Sequence, residues 1–123
     1  MKTRILVIDD DSTILEMISR MLKKEGYEVL TTANGKEGMQ IFKTTPEIDL
    51  VITDLIMPEQ EGIETIAELK RDFPHIKILA ISGGSVVKAK TYLSIAKHIG
   101  ADLTLSKPFV TQELLKSVQK LLE

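Results

Sequence analysis

The chain has 123 residues, 43% of them hydrophobic, and its 16 Lys and Arg against 18 Asp and Glu give a formal net charge of -2. That is one ordinary domain, long enough to bury a core, with no basic excess of the kind that marks a nucleic-acid-binding face. The absence of cysteine excludes disulfides, cysteine zinc sites and thiol nucleophiles.

Apolar runs are too short for a membrane span. The opening "MKTRILV" has no signal-peptide architecture, so a cytoplasmic protein is expected, with a single domain over residues 1–123.

In chain order, the first strand is expected at Arg4–Ile8 (RILVI). A helix follows with Ile14, Leu15, Ile18, Met21 and Leu22 on one apolar stripe, stopped by Gly26. A mixed strand at Tyr27–Thr32 leads to a helix capped at Asn34, with Glu37 at capping-box spacing. A third strand is expected at Leu50–Thr53, then a helix from Glu61 to Phe73. A fourth strand at Lys77–Ile81 precedes a helix from Val86 to Ile99 that ends at Gly100. A fifth strand at Asp102–Leu105 and a helix from Thr111 to Leu122 close the chain.

Strict strand–helix alternation predicts an α/β fold with a parallel sheet and helices on both faces. Strands one, three and four are almost entirely apolar, as befits burial on both sides. Strands two and five are mixed and read as edges. The order 2-1-3-4-5 fits, a flavodoxin-like (βα)5 arrangement.

Ligands of open α/β sheets bind beyond the carboxyl ends of the strands. There the sequence places Asp9, Asp10 and Asp11 after strand one, Asp54 after strand three, Ser82 after strand four, and Ser106 and Lys107 after strand five. Such an oxygen-only cluster suits a hard divalent cation such as Mg²⁺. A lysine and a hydroxyl on the same rim could hold a phosphoryl group.

"LVIDDD", "DLVITDLIMPEQEG", "ILAIS" and "GADLTLSKPF", in this order, resemble the receiver domain of two-component response regulators over essentially the whole chain. The resemblance implies that Asp54 is the phospho-acceptor, taking the group from a sensor histidine kinase or histidine phosphotransfer protein. It implies one Mg²⁺ ion held by Asp9, Asp10, Asp54 and the backbone carbonyl of Ile56, with Asp10 the direct ligand and Asp9 acting through water. Lys107 would bridge Asp54 and then the phosphoryl group, and Ser82 would move inward to bind it. A cis Lys107–Pro108 bond is also implied. Such a domain is a signalling module and not an enzyme acting on a separate substrate.

The family's usual aromatic residue three before the lysine is Thr104 here, so the usual aromatic readout is absent. The segment from Ser82 to Lys107 is about three residues longer than usual, and Gly83 and Gly84 read as a permissive loop. Gly84 and Ile56 stand where the family tunes phosphoryl lifetime. Neither offers a side chain to position water, so slow self-dephosphorylation is expected.

Asp11 reads as a helix N-terminal charge, Thr53 and Ser106 as structural hydroxyls, and His75 and His98 as surface residues. The apolar fourth and fifth helices are expected either to be deeply packed or, with strand five, to form a surface for a downstream protein or a homodimer. No nucleic acid or membrane is expected as a direct partner. The domain would act as a stand-alone regulator, a relay intermediate or part of something longer. Two rivals are a degenerate receiver that binds partners without phosphorylation and a small aspartyl-phosphate phosphatase. The phosphatase would need a second acid where Ile56 stands.

Overall fold

A computed structural model describes residues 2–45, 47–55, 61–83 and 94–123. The elements are β1 (Arg4–Ile8), α1 (Ser12–Lys24), β2 (Glu28–Thr32), α2 (Gly35–Thr44), β3 (Ile48–Asp54) and α3 (Glu61–Asp72). They continue with β4 (Lys77–Ser82), helical residues 94–99 (α4), β5 (Leu103–Ser106) and α5 (Thr111–Leu122). All strand pairings are parallel and the order is 2-1-3-4-5. Right-handed crossovers explain why consecutive strands with intervening helices settle into such a sheet.

The side-chain period of two divides each central strand between two cores. Ile5 and Val7 of β1 face α1 and α5, where they meet Leu50, Leu79, Ile18 and Val118. Leu6 and Ile8 face the other way, toward Met39 of α2, Ile66 and Leu69 of α3 and Ala96 of α4. A sheet buried on both sides leaves only its ends to solvent, which is why chemistry collects there.

The helix boundaries follow the expected chemistry. The Asp11 carboxylate accepts from the Thr13 and Ile14 amides at 2.9 and 3.4 Å, capping α1, and Asn34 accepts from the Glu37 amide at 2.7 Å to cap α2. Gly26 and Gly100 sit at φ +91° and +127° just past helix ends, the left-handed geometry that terminates a helix at least cost in glycine. Val110 precedes α5 without a capping oxygen. Its amide donates instead to Glu113 Oε1 at 3.1 Å, half of a capping box.

The strand limits differ from expectation. β2 and β5 each begin one residue later, at Glu28 and Leu103, and β3 runs from Ile48 to Asp54 instead of Leu50 to Thr53. At the carboxyl edge, Asp54 pairs with Ile81 and Ser82 pairs with Ser106. Asp54, Ser82 and Ser106 are therefore the last rungs of their strands and not the first loop residues. Ladder pairing, not apolar content, decides where a strand stops. α3 ends at Asp72, one residue early, and the Phe73 ring then packs on Phe42 of α2 with centroids 4.7 Å apart.

His75 and His98 are exposed. In α5, Leu114, Val118 and Leu121 are buried, so one face of this helix is core. The other apolar positions expected in the fourth helix, from Val86 to Leu93, lie outside the described residues. Within α4, Ala96 is buried and Ile95 is exposed.

Candidate functional site

The three consecutive aspartates have three different environments. Asp9 is 1% exposed; its amide donates to Thr32 O at 3.1 Å, which continues the β1–β2 ladder by one step. Its Oδ1 accepts from the Asp11 amide at 2.9 Å, a local side-chain turn that fixes the carboxylate. Asp10 is exposed. Asp11 serves the helix.

Asp54, 4% exposed, ends β3 in the middle of the sheet. Its backbone is fixed from three directions. The Thr53 hydroxyl donates to Asp54 O at 3.1 Å, and the Leu55 amide donates to Ile81 O at 2.9 Å. Gly62, in the first turn of α3, approaches so closely that a Cβ there would overlap the Asp54 carbonyl oxygen and lie 2.7 Å from Leu55 Cα.

Lys107 directly follows β5 and is joined to Pro108 by a cis bond. Its amide donates to Ser82 O at 2.7 Å, which carries the β4–β5 register one residue past the last strand pair. Its ammonium lies 2.9 Å from Asp9 Oδ2 and 3.5 Å from Asp54 Oδ2. Burial pulls the Lys107 pKa down, but the hydrogen bond to Asp9 and the charges of Asp54 and Asp9 outweigh it, and the net shift is upward.

Asp9, Asp10 and Asp54 each offer a carboxylate oxygen, and these oxygens all lie within 4.8 Å of one another. Two like charges 4 Å apart repel by about 4 kcal/mol at an effective dielectric near 20. One ammonium cannot balance three carboxylates. The donor set fits a hard divalent cation: oxygen ligands only, with an exposed carboxylate on the solvent side where a small ion can keep its waters.

Ser82 completes the rim. It is 0% exposed, and its hydroxyl has no hydrogen-bond partner among the described residues. A buried hydroxyl in that state has unused bonding capacity.

The fold thus gathers Asp9, Asp10, Asp54 and Lys107, and ties Ser82 to Lys107 through the backbone. Thr104 sits farther back on β5, opposite Ala80. Ile56 and Gly84 lie outside the described residues. Gly83 adopts no positive φ, and a Cβ on it would meet the Lys107 side chain, which sequence reading missed. Gly62, the last residue of "DLVITDLIMPEQEG", packs on Asp54 with no local sequence signature for that contact.

Residues 5–119 match the family model for the response regulator receiver domain. The chain belongs to that family. It is 33% identical to the response regulator SaeR of Staphylococcus aureus (strain USA300) over 124 residues, covering 98% of this chain and 50% of that one. The chain spans about half the length of the curated relatives it matches. Among solved structures, a receiver domain from Clostridium thermocellum superposes with a TM-score of 0.87 at 36% identity, covering 98% of this chain and 94% of that one. The chemotaxis response regulator CheY4 of Vibrio cholerae gives 0.84 at 29% identity, covering 98% of this chain and 99% of that one. As a receiver domain the chain is a signalling module of two-component systems. No described helix is long and apolar enough to cross a membrane.

Proposed function

We propose that this receiver domain accepts a phosphoryl group on Asp54 from a phosphohistidine of a kinase or phosphotransfer protein. The supporting observation is the convergence on one rim of Asp54, the Asp9–Asp10 pair and the Lys107 ammonium. An Asp54 oxygen attacks phosphorus in line, the P–N bond breaks, and the imidazole leaves as an acyl phosphate forms. Chemistry of this kind needs mostly positioning and charge neutralisation.

Asp9, Asp10 and Asp54 would hold Mg²⁺, which when bound supplies positive charge to the phosphoryl oxygens. Asp10, being exposed, suits direct ligation; Asp9, already paired with Lys107, suits contact through water. Lys107 moves from its carboxylate partners to a phosphoryl oxygen, and the Ser82 hydroxyl donates to another. Because the Lys107 amide is bonded to Ser82 O, these two shifts act on the same junction of β4 and β5.

The altered junction adjoins α4, β5 and α5, the surface on which a downstream protein or a second copy would read the change. The domain is thereby a cytoplasmic switch whose only chemistry is its own phosphorylation and dephosphorylation. Retention of the full acid and lysine set favours this over a phosphorylation-independent binding module. Incubation with acetyl phosphate and Mg²⁺ tests it: intact mass should rise by one alkali-labile phosphoryl group, and Asp54→Asn should remain unlabelled. Labelling that survives in Asp54→Asn removes the acceptor assignment.

A further inference from the structure

The family reading above assigns Gly83 no part in the chemistry, and in the sequence it looks like a loop-softening residue. Its backbone does not require glycine: among the described residues the positive-φ glycines are Gly26 and Gly100. What Gly83 provides is space. A Cβ there would lie 3.1 Å from Lys107 Cδ, 3.3 Å from Cβ and 3.7 Å from Cγ, so the aliphatic stem of the lysine runs directly over its Cα.

A flexible side chain would normally step aside from a contact of that length. This one is held at both ends. Its amide is bonded to Ser82 O at 2.7 Å, and its ammonium is bonded to Asp9 Oδ2 at 2.9 Å with Asp54 Oδ2 at 3.5 Å. To make room the stem must shift by a few tenths of an ångström, and with both ends held that shift bears on the ammonium at the acid rim.

We propose that Gly83 is a positioning residue for Lys107: its missing side chain forms the track along which the lysine stem lies, setting where the ammonium meets the carboxylates and the incoming phosphoryl group. This rests on the phospho-acceptor reading for its catalytic consequence, but its structural part stands apart from that reading. It also places the first residue after Ser82 in mechanical contact with the lysine, so that an inward shift of Ser82 and a shift of Lys107 are transmitted to each other.

A double-mutant cycle on the metal-free protein separates this role from simple void filling. At a backbone-compatible site, Gly→Ala stabilises through the unfolded chain, which for a domain of this size corresponds to a rise of about 2 °C in melting temperature. Gly83→Ala should instead lower the melting temperature when Lys107 is present. It should raise it when Lys107→Met has freed the stem from its ionic anchor. Equal shifts in both backgrounds overturn the proposal.

The second arm measures labelling by acetyl phosphate at saturating Mg²⁺. Gly83→Ala should slow it about threefold or more, because sub-ångström misplacement of a catalytic charge is costly. Its Mg²⁺ affinity should not fall, since the carboxylates are untouched and the ammonium moves, if at all, away from them by only a few tenths of an ångström. Unchanged labelling also overturns the proposal. A wild-type protein that takes no label sinks the phospho-acceptor reading alone, and the melting cycle still decides the place of Gly83.

Discussion

Lys107 and Asp9, 98 positions apart in the chain, meet at 2.9 Å, closer than Lys107 and Asp54 at 3.5 Å. The lysine belongs first to Asp9, just past the end of β1, and second to Asp54. The pairing explains how a fold tolerates a carboxylate that is 1% exposed beside two others.

Lys107→Met should therefore destabilise the metal-free protein. Removing one partner of a fully buried ion pair costs ~3–5 kcal/mol; the lysine is partly open to solvent, so about 2 kcal/mol is expected by urea unfolding. The same variant should bind Mg²⁺ about three- to tenfold more tightly, because a competing positive charge has left the rim. Weaker Mg²⁺ binding, measured by calorimetry, would contradict the arrangement.

Asp9 and Asp10 should separate by phenotype. Asp10→Asn removes one of three crowded acids and should leave the metal-free protein at least as stable as wild type, while lowering Mg²⁺ affinity about tenfold or more. Asp9→Asn withdraws the nearest counter-charge from Lys107 and should cost stability as well. A melting curve with and without Mg²⁺ reads both, since bound ion stabilises only the folded state. Identical behaviour of the two variants would show that their different burial has no consequence.

Gly62→Ala should disturb Asp54 from behind. The new methyl would collide with the Asp54 carbonyl and Leu55 Cα, which are backbone atoms inside a sheet and cannot rotate away. Overpacking of this kind costs about 1–3 kcal/mol. Because α3 or the end of β3 must shift, labelling of Asp54 should slow in protein that is still folded. Wild-type stability in the alanine variant would mean that α3 yields freely.

At the opposite end of the sheet, Lys70 Nζ donates to Ile76 O at 2.6 Å and to Asp102 Oδ2 at 3.0 Å, and the same Asp102 oxygen accepts from the Ile78 amide at 2.8 Å. This ties α3, β4 and the entry to β5 together far from the acid rim. Asp102→Ala should cost about 1–3 kcal/mol, since it takes the counter-charge from the Lys70 ammonium, which keeps only its bond to Ile76 O, and the side-chain acceptor from the Ile78 amide. Phosphorylation kinetics should be unaffected, as measured on the same samples by intact mass.

Much of this was legible in the sequence for physical reasons. Period-2 and period-3.6 patterns located the elements, and apolar saturation of β1, β3 and β4 identified the central strands. The topology then dictated that Asp9, Asp54, Ser82 and Lys107 share one rim. Three things were hidden. Strand ends depend on ladder partners, so Asp54 and Ser82 fell one residue inside where loops were expected. Which aspartate is buried depends on the sheet's edge geometry, which three identical letters cannot encode. Finally, a glycine kept for φ and one kept for space are written alike: Gly26 and Gly100 are the first kind, Gly62 and Gly83 the second.

The Ser82 hydroxyl, without a partner among the described residues, bears on how a modified form would be held. A phosphoryl oxygen arriving beside it would give that hydroxyl a charged acceptor, and hydrogen bonds of this type contribute about 1.5–3 kcal/mol. The unmodified form lacks that contribution. If Asp54 is the acceptor as proposed, Ser82→Ala would leave a switch that can be written to but holds its new setting weakly.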